Sequence, residues 1–377
     1  MRVEQRHWSS LQGWSPAAAE LGAADLVLAF GHPAALGDAE RLAEVRAAYP
    51  GARLFGCSTA GEIRDADVLD DSLVTTAVAF QHTRVSAARV AVADAKDSLE
   101  AGAKLAGALA ADDLVHVIVL SDGLKVNGSA LAAGLAGRLP EGVAVTGGLA
   151  ADGARFERTL VLTDEGSAEG VVAAIGLHGD RLAVGYGSLG GWDPFGPERA
   201  ITRSKGNVLY ELDRHSALDL YKRFLGEHAA GLPATGLLFP LSLRMRGGTT
   251  SVVRTILAVD ERDQSMTFAG DMPDGAYARL MKANFERLID GAHGAAARSA
   301  EGLGSSSPDL ALLISCVGRK LVLKQRIEDE VESVRDVLGP RPVLAGYYSY
   351  GEISPFTRST RCELHNQTMT ITTLSER

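Results

Sequence analysis

Two turns near opposite ends of the chain carry the side chains best suited to chemistry. Gly56 to Ile63 reads GCSTAGEI and Gly346 to Ile353 reads GYYSYGEI, so both follow G-x-x-x-x-G-E-I. The first offers Cys57, Ser58, Thr59 and Glu62; the second places Tyr347, Ser349 and Glu352 in the same frame. Cys57 is a candidate nucleophile, a role that needs a lowered thiol pKa and a nearby base. The competing reading is a small buried thiol at a strand end. The second turn has Tyr347 where the first has Cys57, and the surroundings are not the G-x-S-x-G elbow, so no catalytic residue is assigned. Glu62 and Glu352 can accept hydrogen bonds from a ligand amine, serve an enzyme as paired carboxylates, or fix their own loops by binding backbone N–H groups. A strand that ends in glycine and small polar residues puts amides and hydroxyls at a sheet edge, where open α/β sheets bind ligands.

Other residues join these as candidates. GGLAADG, from Gly147 to Gly153, is a third glycine-led turn, with Asp152 one place earlier than the glutamates. Arg254 lies inside the apolar run SVVRTILAV. There it can clamp a ligand carboxylate or face solvent from an alternating strand. CELHNQT carries Cys362, His365 and Asn366. The run reads as a strand, so Cys362 and His365 point to opposite faces and do not share a metal. His365 alone can ligate haem iron or bond a ligand, or be a satisfied structural histidine. Asn366 is equally a turn cap and a ligand contact. No C-x-x-C zinc pair, C-x-x-C-H haem attachment or GxxxxGK[ST] loop is present, and no metal site is assigned.

The elements that must position these residues share one plan, used three times. DLVLAF, a helical AERLAEVRAAY and ARLFGCSTAGEI start at Asp25. DLVHVIVLSDG, ALAAGLAGRL and VAVTGGLAADG start at Asp113. DLALLISCVGRK, a helical VLKQRIEDEVESVRDVL and PVLAGYYSYGEI start at Asp309. Each is strand, helix, strand and glycine-led turn, and each is followed by another apolar alternation: SLVTTAVAF, GVVAAIGL and QTMTITTL. Such alternation predicts an α/β fold of strand-helix-strand units with parallel pairs. The strand after each turn is expected to be antiparallel, giving mixed sheets. The shared turn signature points to internal duplication. Between the second and third units a more irregular stretch contains a hairpin, a helix capped by Ser216, further strands and a long helix expected from Ala276 to about Arg298.

Composition restricts the function classes. A formal charge of −9 with interspersed signs argues against nucleic acid, and no polybasic patch addresses anionic lipid. Three well-separated cysteines in 377 residues suggest a reducing cytoplasm rather than a disulfide framework. The amino terminus lacks a signal-peptide core, and no apolar run approaches the roughly 20 residues of a spanning helix. The expectation is a soluble cytoplasmic protein without membrane insertion.

LFGCSTAGEI, VAVTGGLAADG, GGW with ITRSKGNVLYELD, FAGDMPDG, and YYSYGEISP with CELHNQTMTITTLSE together resemble the FIST family. The resemblance implies a FIST N domain over residues 23–215 and a FIST C domain over 216–377. It further implies an intracellular sensory module of signal transduction that binds a small ligand, amino acids among the candidates. Haem is a possible cofactor through the same resemblance, because some members are reported to sense nitric oxide with it. The two domains account for the sequence, so the output is expected in a separate partner such as a kinase or cyclase. A haem-based gas sensor, and an enzyme using Cys57 or the carboxylates, are the alternatives.

Overall fold

The structure is a computed structural model, and it describes residues 1–357 and 360–377. Strand β1 (Arg2–Ser9) precedes β2 (Leu26–Gly31), helix α1 (Ala39–Ala48), β3 (Arg53–Ser58), the short β4 (Glu62–Arg64), β5 (Ser72–Ala79) and β6 (Arg84–Ala91). Helix α2 (Ser98–Leu109) leads to β7 (Leu114–Ser121), α3 (Gly128–Ala136), β8 (Ala144–Leu149), β9 (Val161–Thr163), β10 (Val171–His178) and β11 (Leu182–Leu189). A lobe comes next in the chain, made of β12 (Asp193–Lys205), β13 (Val208–Leu212), α4 (Ala217–Leu225), β14 (Leu241–Arg244), β15 (Ser251–Arg254), β16 (Ile256–Asp260), β17 (Ser265–Phe268) and β18 (Tyr277–Lys282). Helix α5 (Phe285–Gly302) then returns to β19 (Leu310–Cys316), α6 (Ile327–Leu338), β20 (Val343–Ser349), β21 (Glu352–Pro355), β22 (Cys362–His365) and β23 (Met369–Glu376).

Three sheets are built alike. Their central strands are β3-β2-β5, β8-β7-β10 and β20-β19-β23. In each, the first pair is parallel and the second antiparallel, as expected from the sequence. The helix between the parallel strands supplies the crossover that such a pair requires. The outer strands are exchanged in a ring. Strand β4 of the first unit pairs with β20 of the third, β21 of the third with β8 of the second, and β9 of the second with β3 of the first. On the opposite edges β6 extends the second sheet and β11 the third, while β1 extends the first.

Alternation along the strands explains the core. Leu26, Leu28 and Phe30 from β2, Ile118 and Leu120 from β7, and Leu310, Leu312 and Ile314 from β19 meet in one buried cluster. Their neighbours Val117, Val119, Ala311 and Leu313 turn the other way and pack under helices. Both faces are covered, so the strands read as unbroken apolar runs. Polar caps start the helices: Asp38, Asp97, Asn127 and Ser216 each accept a hydrogen bond from a first-turn amide, at 2.9, 2.9, 3.0 and 3.1 Å.

The lobe forms its own sheet, in the order β15-β14-β18-β12-β13-β17-β16, over a separate apolar cluster. The division expected at residue 215 runs through this sheet, because β12 and β13 precede it and β14 to β18 lie beyond it. Two expected helices differ. The one from Ala276 begins only at Phe285, since Tyr277–Lys282 alternates as a strand between β12 and β14, and Asn284 is the cap of α5. The run VLKQRIEDEVESVRDVL is broken at Lys324, where φ is +53°, into Val317–Leu323 and α6. Among the described residues no helix is long and apolar enough to cross a membrane.

Candidate ligand cavity

The carboxyl ends of β7 and β19 open into a cavity of about 870 Å³. Its floor is the segment from Gly123 to Asn127 after β7, and Cys316, Val317 and Gly318 after β19. One side is the aromatic pair Phe156 and Tyr350, stacked at 4.5 Å between ring centres. The lobe closes the other side with Leu237, Thr255, Leu257 and Phe268. The wall is thus largely apolar. Its one ionisable amine, Lys125, is drawn to Glu169 at 2.9 Å. The Thr255 hydroxyl is buried and has no hydrogen-bond partner.

Asp152 organises this wall from behind. Its carboxylate accepts from the amides of Phe156, Glu157 and Arg158 at 2.9, 2.9 and 2.8 Å, and from the Tyr350 hydroxyl. Burial acts to raise its pKa, but these donors outweigh it and hold the carboxyl below its usual range. Asp152 therefore fixes both rings of the aromatic side.

The two glutamates lie deeper and do not line this cavity. Glu62 accepts hydrogen bonds from Thr59 Oγ1 and, at 2.6 Å, from Ser72 Oγ. Glu352 accepts from Ser349 Oγ at 2.7 Å and from Thr368 Oγ1 at 2.9 Å. Both carboxyls are almost fully buried, and burial pushes Glu62 up to about 7 and Glu352 up to about 8. They lock their own turns, chiefly through hydroxyls. Ser58 ties its turn to GGLAADG and the chain beyond it: its hydroxyl accepts from the Leu160 amide and its carbonyl from the Ala151 amide, at 2.9 and 2.8 Å.

Cys57 and Tyr347 are buried in the central core, with Tyr347 stacked on Phe30 at 4.7 Å. Burial drives the Cys57 thiol pKa far up, which is the reverse of what a nucleophile needs. His365 is buried too, and burial lowers it to about 4. Its Nε2 engages the Ser354 carbonyl at 2.9 Å and its ring meets Phe356 edge-on. Asn366 donates to the His365 carbonyl at 3.0 Å, leaving its own side-chain oxygen buried without a partner. Cys362 and His365 alternate in β22 as expected. Arg254 is buried, not on a solvent face, and lines a second cavity.

Among the described residues no histidine lines the large cavity, and burial raises the Cys316 thiol pKa. Among the described residues no group of three or more His, Cys, Asp or Glu side chains is placed to hold a metal. Sequence motifs led to Asp152 but missed Tyr350, Phe156, Thr255 and Leu257. Tyr350 stands inside the GYYSYGEI turn, so that motif held a signal for it. Thr255 and Leu257 lie in SVVRTILAV and Phe268 opens FAGDMPDG, but neither run signals a shared cavity, which only folding assembles.

The FIST N domain family matches residues 25–215 and the FIST C domain family matches residues 217–355. No curated protein matches the chain. Among solved structures, a cyanuric acid hydrolase from A. caulinodans is 11% identical, with 78% of this chain and 99% of that chain covered and a TM-score of 0.20. A likeness that slight carries no argument about fold or chemistry.

Proposed function

This chain belongs to the FIST family, with both its N and its C domain, and on that premise we propose that it senses one small ligand held in the 870 Å³ cavity. The observation that carries this reading is the position of the cavity. It lies outside the carboxyl ends of two parallel-sheet strands, the favoured ligand site of open α/β sheets, and its size falls in the usual range of ligand pockets. The lobe forms part of its wall, so a ligand touches both bodies at once.

The wall selects for chemistry. Phe156, Tyr350, Leu237 and Leu257 favour a largely apolar molecule, and the unpartnered Thr255 hydroxyl favours one hydrogen-bonding group on it. A free amino acid remains a candidate through its side chain, but the wall offers no paired charges for a zwitterion. A ligand that binds lobe and core in one arrangement better than in another shifts their relation. In this proposal a separate partner, such as a kinase or cyclase, reads that shift in the cytoplasm. The three alike units are read as an internal duplication, of which only the second and third contribute strand ends to the cavity.

Thermal-shift screening of small apolar molecules and amino acids tests the proposal, with Leu257→Trp as the occluded control. A true ligand raises the melting temperature of the parent with the logarithm of its concentration relative to its dissociation constant, and raises that of Leu257→Trp much less. If no compound shifts the parent, or every active compound shifts both proteins equally, the cavity is not the sensory site.

A further inference from the structure

We propose that a second cavity, of about 510 Å³ and lined by β15, is a site for a small oxyanion, a carboxylate or a phosphate, held by Arg254 and Ser129. The cavity lies between helix α3 and the β14–β15 hairpin, with the segment from Arg361 to Leu364 closing it. Arg254 is 6% exposed. Its Nη1 donates to the carbonyls of Leu364 and Val253 at 3.0 and 3.2 Å, and its Nε to that of Asp271 at 3.3 Å. All three acceptors are neutral. Its Nη2 has no partner among the described residues. A buried guanidinium without a direct ion pair keeps part of its desolvation penalty, and an anionic ligand offsets it.

A second donor borders the same space. The Ser129 hydroxyl, in the first turn of α3, is buried and unpartnered, and Ser129 lines the cavity. The other charged groups on the wall are Arg361, which is exposed and adds a cation, and Asp271 and Glu363. The two carboxylates raise the tendency of Arg254 to stay protonated but make no ion pair with it, and Asp271 Oδ1 is taken by Asn127 Nδ2 at 2.9 Å. Burial lowers Arg254 to about 10, so it remains a cation at neutral pH.

Gly270 is part of the construction. A Cβ there would come within 2.7 Å of Arg254 Nε. Gly270 also lines the large cavity, so the guanidinium is packed against the partition between the two sites.

Titration calorimetry with inorganic phosphate and, separately, succinate at fixed ionic strength tests the site. The parent is expected to bind at least one probe saturably, and the probe that saturates identifies the oxyanion class. Arg254→Gln is expected to weaken binding by about tenfold or more, as loss of a charged hydrogen-bond donor does. Because Arg254 also ties three carbonyls, Thr250→Glu serves as a fold-neutral check: it sets a carboxylate on an exposed lining residue and is expected to weaken binding as well. Leu257→Trp leaves oxyanion binding intact. Absence of saturable binding of both probes, or binding undiminished in Thr250→Glu and Arg254→Gln, overturns the proposal.

Discussion

Glu62 and Glu352 sit at matching places in two turns and have matching surroundings: a hydroxyl three residues earlier and a second hydroxyl at or just before the next long strand. Their burial has a consequence for stability. Each is protonated in the folded chain up to about pH 7 or 8, whereas an unfolded glutamate ionises near 4.5. The unfolded state therefore binds fewer protons between these values, and stability falls as pH rises through the window. His116 and His365 act oppositely. Burial lowers them to about 3 and 4, so the folded state lacks protons that the unfolded imidazoles hold below about 6.5, and stability rises with pH up to that point. The two pairs offset each other between pH 4.5 and 6.5. Above 6.5 the glutamates act alone. Thermal melts are expected to show stability falling from pH 6.5 to 8, by about 1 kcal/mol per pH unit for each ionising group. The double variant Glu62→Gln and Glu352→Gln is expected to flatten that decline; an unchanged slope would assign it elsewhere.

At the scale of the element, the glycine that opens each turn has a steric duty. Gly56 faces Ala29, Gly147 faces Val119 and Gly346 faces Leu313 across the parallel pairs. A Cβ at these positions would lie 1.8, 1.9 and 1.8 Å from the facing carbonyl oxygen. Backbone, not a flexible side chain, is in the way, so the strands cannot give. Gly346→Ala is expected to destabilise the chain by about 1–3 kcal/mol or more, read from chemical denaturation. Gly206→Ala tests a different duty: nothing stands near its Cβ, but φ is +57°, so a smaller loss of roughly 1 kcal/mol is expected.

Across the whole molecule, the ring of exchanged strands makes the two halves of the sequence interdependent. Strand β4 finds its sheet only in the third unit, and β11 pairs with β23. A fragment of residues 1–215 would lose both partners and part of the lobe sheet. It is expected to lack the cooperative thermal transition of the full chain, whose near-ultraviolet and far-ultraviolet signals should melt together. A fragment that melts cooperatively, with protected amides in β4 and β11, would show the halves to be independent.

The sequence determined the local units. Apolar runs covered on both faces, helices with polar caps and glycine-led turns declare themselves within a few residues, because propensity, capping and steric fit are short-range. Those signals also placed Asp152 and Arg254 among the functional candidates. Tertiary structure decided the rest. Whether Cys57 is a nucleophile or a core thiol depends on burial against Phe30 and Tyr347, residues remote in the chain. Whether the turns face a ligand or each other depends on which sheet accepts the next strand, and that pairing runs between units. Both cavities arise where the lobe meets the strand ends and α3, surfaces whose apolar residues look like any other core positions until folding leaves space between them.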